Sequence, residues 1–155
     1  MTIYTSNDVL PLAIANFIGY LEDENSALHG VGVSFGPARD VDREHIFIGD
    51  SLDEDDVDWA TIGPVGTPGQ KMDLTSSFSV TCAVSGVSKS PLEAFTRAFE
   101  LRGLVEQVIR ANQTLGLATV FAARVKVGRL RHQFIQDTEG TGCDAGLVVR
   151  IQARI

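Results

Sequence analysis

The sequence predicts an α+β fold: a mixed or mostly antiparallel sheet with two helices packed on one face. Three observations lead there. Two stretches, Asp8–Glu24 and Ser90–Asn112, repeat apolar residues at helical spacing. Residues Phe78–Val84 alternate apolar with small or polar side chains, as a strand does when one face is buried and one is wet. Three more strand-like stretches close the chain, at Thr119–Val127, Leu130–Gln136 and Leu147–Ile155. The expected order is α-β-β-β-α-β-β-β, in a single domain spanning 1–155.

Each element has a local reason. In the first helix Leu10, Ile14, Phe17 and Leu21 form the stripe, with Ala13 and Ile18 widening it. Ser6 or Asn7 can cap it, and Pro11 is tolerable in a first turn. Glu22, Asp23 and Glu24 oppose the dipole at its end, so that end is expected to fray. Val31, Val33 and Phe35 suggest a short strand between Gly30 and Gly36, and His45–Ile48 a second one ending at Gly49-Asp50. The second helix opens on Ser90-Pro91-Leu92-Glu93, a capping box with Pro at the first helical position. Ala94, Ala98, Leu101, Val105 and Ile109 make its stripe. Gly128-Arg129 is expected to close a two-residue hairpin between the strands on either side. In the last strand Leu147, Val149, Ile151, Ala153 and Ile155 share one face; Val148, Arg150, Gln152 and Arg154 share the other.

Residues 50–76 break this regularity. They begin with Asp50, Asp53, Glu54, Asp55, Asp56 and Asp58, and continue through Trp59 into a Gly-Pro-rich run. The expectation is a long loop, and loops of this length are usually functional or disordered. Gly and Pro content fits ordering on contact with a partner.

At 155 residues one core suffices without disulfide staples. Cys82 and Cys143 make neither a disulfide framework nor a zinc quartet, so a reducing compartment is expected. No apolar run has the ~18–20 residues of a membrane helix, and Met1–Tyr4, with no basic region before an apolar stretch, leads to the expectation of no secretory leader. A net charge of −7 argues against a protein that grips nucleic acid. The charge is uneven: residues 1–118 carry 7 basic and 17 acidic side chains, residues 119–155 carry 6 and 3.

The chain has no nucleophile elbow, phosphate-binding loop or dinucleotide-binding glycine pattern. His29, His45 and His132 stand far apart, each with the ordinary reading of a turn or strand residue. Catalytic and cofactor residues are therefore expected to be none. A metal-dependent enzyme using Asp50, Asp53, Asp55 and Asp58 is the rival reading. Asp53-x-Asp55 begins like a calcium loop, but Val57 stands where the next oxygen ligand belongs, and the glycine and closing glutamate are missing. The plainer reading of the acidic run is a solvated, self-repelling segment.

Arg124, Lys126, Arg150 and Arg154 lie opposite the apolar faces of the closing strands. They suit either an ordinary wet sheet face or a dock for an acidic partner. Together with Asp53, Glu54, Asp55, Asp56, Asp58 and Trp59 they form a candidate seam between identical subunits joined head to tail. A cellular binding module that adds a partner strand at a sheet edge is a further alternative.

The layout resembles a known family. A helix leads to Gly-Val-x-Val-Ser-Phe-Gly (Gly30–Gly36), then a strand ending Ile46-Phe47-Ile48-Gly49-Asp50. An acidic stretch with a Trp, the Phe78–Val84 strand, a helix beginning Ser90-Pro91 and the closing strands complete it. This order resembles the tail terminator (tail completion or head-tail joining) proteins of siphophages, across nearly the whole chain. Head-closure and minor tail proteins share much of it. The resemblance implies a homo-hexameric ring that caps the tail tube, stops its polymerisation and meets the head connector. The partners it implies are the tail tube protein, the connector or head-closure protein and DNA passing through the lumen without specific binding. It also implies a place in the virion, at the head-proximal end of the tail, after assembly in the host cytoplasm. A hexamer of chains at −7 each carries −42 formal charges, which would discourage DNA from sticking in transit.

Overall fold

The computed structural model describes residues 6–36, 44–50, 58–62, 71–85, 90–117, 120–125, 131–137 and 140–154. Helix α1 covers Ser6–Glu22 and α2 covers Pro91–Ala111. The strands are β1 (Gly32–Phe35), β2 (Glu44–Asp50), β3 (Asp58–Ile62), β4 (Lys71–Val84), β5 (Val120–Val125), β6 (Arg131–Asp137) and β7 (Gly140–Arg154). All seven join one sheet; β1 pairs parallel with β2 and every other pairing is antiparallel. The fold is α+β, as the sequence predicts.

The core forms between the helices and the face of β4 that carries Phe78, Val80, Cys82 and Val84. Register sets these opposite Val149, Leu147, Ala145 and Cys143 of β7, and β2 adds Ile46 and Ile48 beside Cys82 and Val80. Every one of these residues is buried. Helix α1 closes one part of this face with Val9, Ala13, Phe17 and Leu21. Its Phe17 ring lies 5.4 Å from Phe78 at a 54° tilt, a geometry that adds about 0.5–1.5 kcal/mol beyond area burial. Helix α2 covers the rest with Ala94, Ala98, Leu101, Val105 and Ile109. The alanines let its first half approach the sheet closely.

Helix ends follow local chemistry. Ser90 Oγ accepts from the backbone N–H of Glu93 at 3.2 Å, realising the predicted cap. Helix α1 starts at Ser6, so Pro11 lies beyond its first turn and cannot donate to the carbonyl of Asn7. Its acidic end unwinds after Glu22 into a turn in which Asp23 Oδ1 accepts from the N–H of Asn25 at 2.8 Å.

After α2 the chain reverses through Leu115 and Gly116, at φ 48° and 71°. Leu115 is fully buried, and its carbonyl accepts from Asn16 Nδ2 of α1 at 2.7 Å. That bond and that burial hold a left-handed leucine in place.

The structure corrects three expectations. Residues 50–76 are not one long loop: β3 and the first six residues of β4 lie within them. Acidic, Gly and Pro residues hide this locally, while pairing makes it possible: Lys71–Thr75 align with β3, and Asp73–Ser76 also align with β7. The element order therefore gains one strand. Second, the strands flanking Gly128-Arg129 do not pair as a hairpin. Both β5 and β6 pair antiparallel with β7, so they run in the same direction, end to end along one edge of it. The hairpin is β6–β7, closing at Asp137–Gly140. Third, the last strand begins at Gly140, not Leu147. Glycines and a single Asp weaken that half as a strand signal, but β4 and β6 hold it from both sides.

Two glycines have steric reasons. A Cβ on Gly142 would stand 2.7 Å from the Val84 carbonyl oxygen. A Cβ on Gly116 would stand 2.7 Å from the Tyr20 hydroxyl, at a φ that L residues resist. Gly142→Ala and Gly116→Ala should each cost about 1–3 kcal/mol. At roughly 2–4 °C per kcal/mol, thermal melts should show losses of several degrees, against no loss for Gly103→Ala, where a Cβ meets nothing within 4 Å.

Candidate interaction surface

The sheet face away from the helices carries the charge. On β4 it presents Thr75, Ser77, Ser79, Thr81 and Ala83; on β7, Asp144, Val148, Arg150, Gln152 and Arg154; on β2, His45 and Phe47. Arg150 and Arg154 are exposed, whereas Val148 is buried on the same face. The face is therefore wet at the C-terminal half of β7 and covered further back.

Register brings several of the sequence-predicted residues together. Arg124 of β5 pairs with Arg150 of β7, which pairs with Ser77 of β4. The next row of the same face runs Asp58, Thr75, Gln152, Ala122. Beyond it Arg154 pairs with Asp73. Trp59 instead pairs with Leu74, in the row continuing to Ala153 and Val120, one step along from Asp58. Asp53, Glu54, Asp55, Asp56 and Lys126 lie outside the described residues.

The acidic metal set does not converge where it is described. Asp50 pairs with Phe78 and Asp58 with Thr75, three residues apart along β4, or about 10 Å. An odd step puts the two positions on opposite faces. Among the described residues no three His, Cys, Asp or Glu side chains group to hold a metal ion.

One polar pair escaped the sequence reading. Ser34 Oγ of β1 and His45 Nε2 of β2 are hydrogen-bonded at 2.8 Å. Such spacing is within nucleophile–base reach. However, His45 is only 7% exposed and stacks on Phe47 with ring centroids 4.4 Å apart. Across the sheet its row passes through Ala83 to Asp144, two strands away and about 10 Å distant, too far to orient the imidazole directly. The pair clips the short edge strand β1 to β2. No local sequence signal marks it, since Ser34 and His45 meet only through strand pairing.

Burial tunes two further groups. It pushes the Cys82 thiol up to about 12, with Arg102 opposing weakly, so the thiol stays protonated and inert. Burial also raises the Asp144 carboxyl above its ordinary range. Arg97 bridges Glu44 at 2.9 Å and Glu100 at 3.1 Å, tying α2 to the start of β2. Arg102 lies 4.1 Å over the Phe99 ring and donates to the Gly146 carbonyl at 3.5 Å, tying the same helix to β7. These contacts brace the helix layer behind the charged face.

The chain matches no protein-family model and no curated protein sequence at a significant level.

Because the folded pKa of Asp144 exceeds its unfolded one, its contribution to stability is fully present below the unfolded value and is lost as pH rises through the folded value. Asp144→Asn should therefore raise the melting temperature at pH 7 and leave it unchanged near pH 3, measured by paired thermal melts.

Proposed function

We propose that this protein is a structural assembly protein of a siphophage tail: a terminator that forms a homo-hexameric ring on the last tube ring, stops tube growth and receives the head connector. The observation that carries the reading is the charged outer sheet face. Arg150 and Arg154 are exposed there, with Arg124 set in register beside Arg150, on a chain whose net charge is −7. Cationic side chains concentrated on one face of an acidic protein suit a contact with another acidic surface, including that of an identical copy. The layout that resembles tail terminators also supports it: an N-terminal helix, a short Val-rich strand, a central alternating strand, a long capped helix and closing strands.

In this reading the face contacts steer and register partners, while the apolar core behind it keeps the face rigid. The negative total charge lets DNA pass without adhering.

Native mass spectrometry of the full chain, alone and with tail tube protein, tests the ring. The expected result is a hexamer, formed alone or on the tube, together with tubes of fixed length by electron microscopy. A strict monomer that leaves tube growth unchanged overturns the reading. Replacing Arg150 by Glu should weaken ring or tube association about tenfold or more at low salt, with no loss of thermal stability.

A further inference from the structure

Helix α1 is apolar on both sides. Its core side carries Val9, Ala13, Phe17 and Leu21. Its water side shows Pro11, Leu12, Ala15 and Gly19, all exposed, and residues 9–21 hold no charged side chain. The polar Asn16 and Tyr20 turn instead to the chain's own reversal after α2. Asn16 Nδ2 donates to the Leu115 carbonyl at 2.7 Å, and the Tyr20 hydroxyl stands against Gly116. A surface helix ordinarily shows water its polar side, as α2 does with Thr96, Glu100, Gln107 and Arg110. A helix that is apolar all round is normally a covered one. Gly19 points the same way. A glycine inside a helix costs stability relative to alanine. Gly19 has no positive φ, and a Cβ there would meet nothing within 4 Å. The described chain gives it no reason, whereas the close approach of a second helix does.

A matching stripe lies on α2. Leu92, Phe95, Phe99 and Arg102 follow one another at i, i+3, i+7 and i+10, the spacing of a helix–helix seam. Leu92 is 72% exposed, and the other three are part exposed at the flank of the core. The Phe95 and Phe99 rings stack with centroids 4.3 Å apart, and the Arg102 guanidinium lies 4.1 Å over the Phe99 ring. On α1 the same spacing gives Leu12, Ala15, Gly19 and Glu22, every one exposed. Laid side by side in parallel, the two stripes set Leu12 on Leu92, the small Ala15 and Gly19 on the two phenylalanines, and Glu22 on Arg102.

We infer that copies of this chain join through the helix layer, the α1 stripe of one packing parallel on the α2 stripe of the next. Size and charge choose the occupant. In the same parallel arrangement, α1 on α1 would bring Glu22 to Glu22 and leave small residues facing small ones. Likewise α2 on α2 would bring Arg102 to Arg102 and ring against ring. The unlike pairing fills small with large and sets a carboxylate beside a guanidinium. It uses two different patches, so the contact is heterologous and closes into a ring when the rotation permits. The inference rests on the ring reading above for its partner, a second copy, and places the seam between subunits in the helix layer. The outer-face arginines are thereby left for the tube and connector proteins.

Cross-linking between two single variants of the full chain tests it. Leu12→Cys and Leu92→Cys chains, one carrying a size tag, are oxidised mildly, each alone and then mixed. Native Cys82 and Cys143 are buried and contribute little background. The mixture should give a covalent heterodimer on a non-reducing gel, and neither chain alone a comparable homodimer. As a second arm, Gly19→Leu should weaken assembly about tenfold or more by native mass spectrometry, because it fills the hollow that receives Phe99. Melts at concentrations where the wild-type chain is dissociated should show no loss, since leucine is the better helix former and its Cβ meets open space. Leu92→Asp should likewise weaken assembly without loss of stability, as an acidic residue suits the first turn of α2. If the wild-type chain assembles but Leu12→Cys cross-links only to itself, the α2 occupant is overturned. If it assembles, no mixture cross-links and both Gly19→Leu and Leu92→Asp leave assembly intact, the seam is overturned while the ring reading stands. A wild-type chain that stays monomeric with and without tube protein overturns both.

Discussion

The antiparallel pairing of β4 with β7, from Asp73–Arg154 to Val84–Cys143, positions every other element of this protein. Two long strands with buried alternating residues make a central ribbon. Each then offers an outer edge longer than any other strand in the fold, so each edge takes two short strands end to end: β2 and β3 beside β4, β6 and β5 beside β7. The helices dock where the ribbon is most apolar, with Phe17 on Phe78 and the small residues of α2 against the sheet. Gly142 permits the close approach of the two backbones near one end of the ribbon.

This arrangement separates stability from interaction. The helix side is dry: Phe78, Val80, Leu147, Val149 and Ile151 are buried among α1 and α2 residues. The other side keeps hydroxyls and arginines. A change at Arg150 or Gln152 should therefore leave the core filled. The exceptions on the outer face are Ser77, buried although it pairs with exposed Arg150, and, further back, buried Val148 and His45, with the Asp144 carboxyl held above its ordinary pKa by burial.

Much of the candidate site was legible in the sequence as charge, and little of it as geometry. The +3 balance of residues 119–155 against −10 for residues 1–118 already marked Arg124, Arg150 and Arg154 as a group. Period-two alternation also put Arg150 and Arg154 opposite the buried Val149 and Ile151. That Arg124 stands directly beside Arg150, and that Asp58 falls in the row between Arg150 and Arg154, required the register. The Ser34–His45 bond was invisible for the same reason.

By itself the sequence determined what depends on neighbours within a few positions. The stripes of α1 and α2, the Ser90 cap and the alternation of Phe78–Val84 and Leu147–Ala153 are all local periodicities, and all appear in the structure. Tertiary structure decided what depends on pairing partners distant in the chain. It made strands of Asp58–Ile62, too short and too closely flanked by acidic and Gly-Pro residues to stand out, and of Gly140–Gly146, whose glycines favour turns, because β4 and β6 supply their missing hydrogen bonds. It laid β5 and β6 end to end along β7, where local turn chemistry at Gly128-Arg129 favoured a hairpin, because the long β7 edge satisfies both strands at once.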